Sequence, residues 1–189
     1  MLAPVRTVAP ATTPVSLTEA KAHLRVDHDD DDTLIGALID AATAHLDGWT
    51  GVLGRAIITQ TWRQDFYEFS HKLRLPLHPV ASITSVPYYD GDNAQQTLST
   101  DVYELLTDAA GAYVAEKADQ TWPGTKDRAA AVSVTFVAGE ATAPAAITAA
   151  ILLLIGHLYE NREAVGPDAM SELPMAVSAL IAPYRRVGV

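Results

Sequence analysis

The chain of 189 residues has no cysteine, which excludes a disulfide framework and any zinc site built on thiolates. Aromatic residues make up only 7% and charged residues 19%, and the charge leans to one sign, with 23 acidic against 13 basic side chains. The resulting net charge of −10 repels nucleic-acid phosphates and argues against a DNA-gripping surface. An acidic wall past which DNA slides without sticking is compatible with it. No apolar run reaches the roughly 20 residues that a membrane span needs. The opening Met1-Leu2-Ala3-Pro4-Val5-Arg6 has no apolar stretch of signal-peptide length, so synthesis and first use in the cytoplasm are expected. Nucleophile elbows, phosphate loops and dinucleotide fingerprints are also missing.

What remains of metal or acid–base chemistry is thin. The run Asp27-His28-Asp29-Asp30-Asp31-Asp32 invites comparison with a calcium loop, which needs Gly at its sixth position and Glu at its twelfth. Counted from Asp27, those positions hold Asp32 and Leu38. The run reads instead as the acidic entry to a helix, where carboxylates meet the helix dipole and cap free N–H groups. His23 sits among Lys21 and Arg25 on a polar face, and His157 precedes Glu160 by three residues without forming the H-E-x-x-H zinc signature. Neither catalytic, cofactor-binding nor metal-ligating residues are expected. A small metal-dependent hydrolase using the Asp run with His28 or His157 is the alternative from a different functional class.

What is present is hydrophobic: 49% of the chain, ample for a packed core. The segment Ala145 to Tyr159 is apolar nearly all round and is followed at once by Glu160-Asn161-Arg162-Glu163. A helix of that composition must be covered on most faces, so it belongs in a core or a subunit interface. Pro144 suits its first turn. Earlier, Ser16-Leu17-Thr18-Glu19 forms a capping box opening a short helix with Leu17, Ala20 and Leu24 on one face. A second helix follows the acidic run, with Leu34, Ile35, Leu38, Ile39, Ala42 and Leu46 at helical spacing, ending around Gly48 to Gly51.

From Ile57 the periodicity shortens. Segments 57–66, 73–76, 80–89 (interrupted by Pro87), 96–98, 102–106, 112–116 and 132–137 each read as strands, with turns at Asp90-Gly91-Asp92-Asn93 and Asp108-Ala109-Ala110-Gly111. Leu173 to Ala182 suggests one more short helix. Strands grouped between helical ends predict an α+β fold, a helical core from the N- and C-terminal parts with a central antiparallel β subdomain. The expected division is a flexible arm at 1–15 and a domain at 16–165, with helices in 16–51 and 144–165 and a β insertion at 57–138. A C-terminal extension at 166–189 completes it. Trp49, Trp62 and Trp122 read as core or interface packing.

Several segments together resemble tailed-phage head–tail connector (adaptor) proteins of the prophage and gene-transfer-agent subgroup. They are Val15 to Val26 with the acidic stretch and the helix from Asp32 to Trp49, Gly54 to Trp62, Leu75 to Val80, Val134 to Gly139, Pro144 to Glu163, and Pro183-Tyr184-Arg185. The resemblance implies a virion structural protein without catalytic residues or cofactors. It implies a ring beneath the portal, commonly twelve-fold, that extends the DNA channel and joins capsid to tail. Its partners would be further copies of itself, the portal protein, stopper or tail proteins and passing double-stranded DNA, with no membrane. It would act in the virion neck after assembly in the host cytoplasm. Candidate interface residues are Tyr159, Arg162, Tyr184, Arg185 and Arg186, and the segment Pro183 to Val189 and the N-terminal arm are expected to order on binding. A stopper or tail terminator is the neighbouring alternative, although those are dominated by a β-barrel.

Overall fold

The computed structural model describes residues 1–162 and 175–186. Two compact units account for them, one formed by Met1–Ala11 with Thr59–Glu140, the other by Thr12–Ile58 with the described residues from Ala141 onward. The first is all β and the second all helical, so the class is α+β. No helix among the described residues is long and apolar enough to cross a membrane.

In the helical unit, Ser16 caps α1 (Leu17–Leu24) through the expected reciprocal box. Its Oγ accepts from Glu19 N–H at 3.2 Å while Ser16 N–H donates to Glu19 Oε2 at 2.8 Å. Arg25 closes the helix in the left-handed region at φ 59°. Ala20 is fully buried, but Leu17, expected on the same face, is 36% exposed, because the first residue of the helix lies at the edge of that stripe. Helix α2 (Asp32–Leu46) buries Ile35, Ile39, Ala42 and Leu46, which recur at three- and four-residue spacing as one helical face requires. Helix α3 (Ala145–Glu160) starts after Pro144 and buries Ile147, Ala150, Ile151, Leu154 and Ile155. Val15, Leu53, Ile57, Val177 and Ile181 complete this core.

Two expectations are corrected in the fold. Residues 1–15 are not a free arm: Val5–Val8 forms strand β1, antiparallel to β2 (Gln60–Phe66), Leu2 N–H donates to Asp65 C=O at 2.9 Å, and Val15 is buried. The physical reason lies in Val5-Arg6-Thr7-Val8, three of whose residues are β-branched and fit a pleated edge. Pro4 and Pro10 fall outside the strand, where no ladder N–H is needed. Nor is the C-terminal part simply an extension. Helix α4 (Met175–Ile181) places Val177 and Ile181, one helical turn apart, in the core. A 3₁₀ turn at Ala182–Tyr184 follows. Residues 163–174 and 187–189, with Leu173 and the last three residues of the expected tail, lie outside the described residues.

In the β unit, β9 (Val132–Ala138) is the central strand. It pairs along its whole length with β2 and on its other side with β4 (Val80–Ser85) and β5 (Pro87–Tyr89). Its burial alternates residue by residue, with Val132, Val134, Phe136 and Ala138 turned inward, as a sheet with one covered face demands. Strand β6 (Gln95–Thr97) pairs with β5 across the Asp90–Asn93 turn. There Asp90 Oδ1 accepts from Asp92 and Ala94 N–H, and Asn93 adopts φ 64°. A second sheet is built from β3 (Leu73–Arg74), β7 (Tyr103–Asp108) and β8 (Gly111–Glu116), in the order β3-β8-β7. The polar loop around Trp122 is pinned by that ring stacked on Phe69 at 4.8 Å and by its indole N–H donating to Ser70 C=O.

Candidate functional site

The acidic run and the end of α3 are joined in one polar cluster. Asp31 occupies the N-cap position of α2 yet makes no side-chain cap bond, contrary to the capping role expected of it. Its carboxylate turns instead to the last turn of α3 and the residues after it. Tyr159 donates its hydroxyl to Asp31 Oδ2, and Arg162 Nη2 donates to the same oxygen at 3.0 Å. The Arg162 guanidinium also lies 4.5 Å from the Tyr159 ring centroid. The hydroxyl bond, then the arginine, holds the Asp31 carboxyl below its ordinary range, and the same bond pushes the Tyr159 phenol up. Lys21 organises the neighbouring carboxylates, reaching Asp29 at 2.7 Å and Asp32 at 2.6 Å. Hydrogen bonds to the two carboxylates raise the Lys21 pKa, and the ammonium in turn lowers that of Asp29. Asp27 and Asp30 remain exposed.

The other candidate residues gather elsewhere in the same unit, around the loop that follows α2. Asp47 Oδ1 accepts from the Ile57 N–H at 2.7 Å and Gly48 N–H donates to Arg55 C=O at 2.7 Å, folding 47–57 back on itself. The Arg55 guanidinium faces the Tyr184 ring at 5.5 Å. Arg186 N–H donates to Leu53 C=O at 2.9 Å, and Arg185 is exposed. Tyr184 and Arg186 are thus held to this loop within the chain. The two groups of candidates are thus kept apart, Tyr159 and Arg162 at the start of α2, Tyr184 to Arg186 beyond its end. Sequence reasoning did not single out Arg55, nor the pairing of Asp31 with Tyr159; Trp49, read as core or interface packing, is 45% exposed. The one visible signal was a lone arginine in an apolar stretch.

Among the described residues no group of three His, Asp or Glu is placed to hold a metal ion. His28 Nδ1 lies 3.7 Å from Asp30, and His157 lies 3.4 Å from the Asn161 side chain, so the two histidines of the hydrolase alternative have separate surroundings. What the arrangement provides is recognition surface: aromatic rings with arginines at one place and clustered carboxylates at another.

The sequence profile of the phage gp6-like head-tail connector proteins matches residues 14–185. The chain belongs to this head–tail connector family. Its role is therefore that of a head–tail connector. No curated protein matches the chain. Among solved structures it is similar in fold to a chain of the virion of a native gene transfer agent (GTA) particle, at 24% identity and TM-score 0.79. It is also similar to a chain in the neck of an empty GTA particle computed with C6 symmetry, at 24% and 0.78. A chain in the neck of a native GTA particle computed with C12 symmetry gives 24% and 0.70. Each likeness covers 100% of this chain and 97% of the other.

Proposed function

We propose that this connector forms a ring beneath the portal, twelve-fold in the particle, extends the DNA channel and joins the capsid to the tail without catalysing a reaction. The observation that carries the reading is the family match across residues 14–185. The ring is supported by the fold shared with neck chains from particles computed with C6 and C12 symmetry. Its partners are further copies of itself, the portal protein on one side and stopper or tail proteins on the other. Assembly takes place in the host cytoplasm. Passing double-stranded DNA meets a chain of net charge −10, and like-charge repulsion keeps the DNA mobile rather than bound.

Electron microscopy of particles from cells lacking the gene tests the role. Filled heads and finished tails, unjoined, are the expected result. Normal tailed particles would refute it.

A further inference from the structure

The two ends of α2 differ in charge. Where α2 begins, the acidic run supplies five carboxylates, Asp27, Asp29, Asp30, Asp31 and Asp32, against the cations Lys21, Arg25 and Arg162. Asp29, Asp31 and Asp32 are taken up by internal partners, which leaves the surplus on the exposed Asp27 and Asp30. Where α2 ends, among the described residues, Arg55, Arg185 and Arg186 stand with the carboxylate Asp47; Arg55, Arg186 and Asp47 have partners within the chain, and Arg185 is exposed. Arg55 faces Tyr184, and Arg186 is bonded through its backbone to Leu53. The same end exposes Trp49, which has no ring contact or hydrogen bond among the described residues. With 15 residues in the helix, the two ends stand about 22 Å apart at about 1.5 Å per residue.

Trp, Tyr and Arg together are the residue types that dominate binding hot spots. We propose that the surface of Trp49, Arg55, Tyr184 and Arg185 takes the Asp27–Asp30 corner of a second copy of this chain, head to tail. The inference rests on the ring reading and names the contact that would build it. A cyclic ring needs two different, mutually complementary faces on every subunit, and opposite charge at the two ends of one helix meets that need. Like-charged corners are kept apart, so the same arrangement disfavours the inverted pairing.

The absence of native cysteine makes the test clean. Full-length Asp30→Cys, Arg185→Cys and the doubly substituted chain are each supplied as the sole copy in particle-producing cells, and purified particles are treated with a short bis-maleimide. A chain with one thiol can join at most one other, so a ladder of trimers and larger species requires both positions to meet head to tail. The expected result is that ladder from the double variant and no dimer from either single one. Particles whose necks show a ring of this chain by electron microscopy but give no ladder would overturn the contact while leaving the ring reading intact. Necks with no such ring would overturn the ring reading, and the contact with it. If the cysteine variants do not yield particles, charge reversal decides: Asp30→Arg and Arg185→Glu should each lower the yield of tailed particles, and their combination should recover it. No recovery in the combination would overturn the proposal.

Discussion

Replacing Ile181 by Ala asks whether the C-terminal helix is part of the core or a loosely attached extension. Ile181 is 1% exposed and packs with the residues of α1, α2 and α3 in one hydrophobic cluster. The substitution removes three carbons, about 2.4 kcal/mol at about 0.8 kcal/mol per buried methylene, and the cavity left behind adds to that. Ile→Ala changes in cores cost about 2–5 kcal/mol. Helix α4 is only 7 residues long and can settle partly into the space, which favours the lower half, about 3 kcal/mol. With a urea m-value of about 1.5 kcal/mol/M, that is a midpoint lowered by about 2 M. The far-UV helical signal should be followed, because two compact units need not unfold together. Met175→Ala is the control, 89% exposed on the same helix, and should stay within about 0.5 kcal/mol of the parent. If the Ile181 and Met175 variants melt alike, α4 does not contribute to the core and the reasoning fails.

Asp47→Ala should cost about 1–3 kcal/mol by leaving the buried Ile57 N–H without its side-chain acceptor, whereas Asp47→Asn, which keeps an acceptor oxygen, should cost less; equal losses in urea unfolding would count against this. Gly36 lies inside α2 with nothing within 4 Å of an added Cβ, so Gly36→Ala should stabilise by about 0.5–1 kcal/mol. At Gly51 the added Cβ would stand 2.3 Å from Asp47 C=O, so Gly51→Ala should destabilise, and thermal melts of the pair check the opposite signs. In the β unit, Arg74 first and then Lys72 hold the Asp108 carboxyl well below its ordinary range, as Tyr159 does for Asp31. Such depressed groups bind protons more readily in the unfolded chain, so their contribution is present above the unfolded value of about 3.9 and is lost as pH falls toward the folded one. Asp108→Asn and Asp31→Asn should each flatten the loss of melting temperature in acid; unchanged pH profiles in both would refute the assignment.

The helices were legible where a local rule and a burial stripe agreed. Ser16 and Glu19 announce α1 through chemistry confined to four residues, and Ile35, Ile39, Ala42 and Leu46 mark the face α2 buries. The strands were legible as segments, since Val132, Val134, Phe136 and Ala138 alternate on β9. Their pairing was not, because β2 joins β9 across the intervening chain and no local pattern encodes that partner. The same limit hid β1, whose Val5-Arg6-Thr7-Val8 has no stripe of its own and is ordered by the edge β2 offers. At the candidate surfaces, Tyr159, Arg162, Tyr184, Arg185 and Arg186 could be picked out as residues, but their companions could not. Asp31 meets Tyr159 across 128 positions of sequence, and Arg55 meets Tyr184 through folding of the loop after α2.

Helix α3 ties the fold to assembly. Its buried stripe, Ile147, Ala150, Ile151, Leu154 and Ile155, is what one helical unit needs. Opposite a stripe of that kind a surface helix carries charged residues, yet from Ala145 to Tyr159 there is no Asp, Glu, Lys or Arg. Leu152 and Leu153 are only partly covered and Leu158 is 37% exposed. Among the described residues Leu152 and Leu153 pack against the core on one side and are left partly open on the other. Charge at the ends of α2 can set which copy meets which and in what register, but exposed ion pairs are individually weak, about 0.2–1 kcal/mol. Apolar area must supply the rest of a lasting contact. A ring contact that closed over the Leu152–Leu158 side of α3 would account for a helix with no polar face, and Leu152→Gln would then leave the free chain folded while lowering the yield of joined particles. Unfolding of the free variant would assign Leu152 to the core instead.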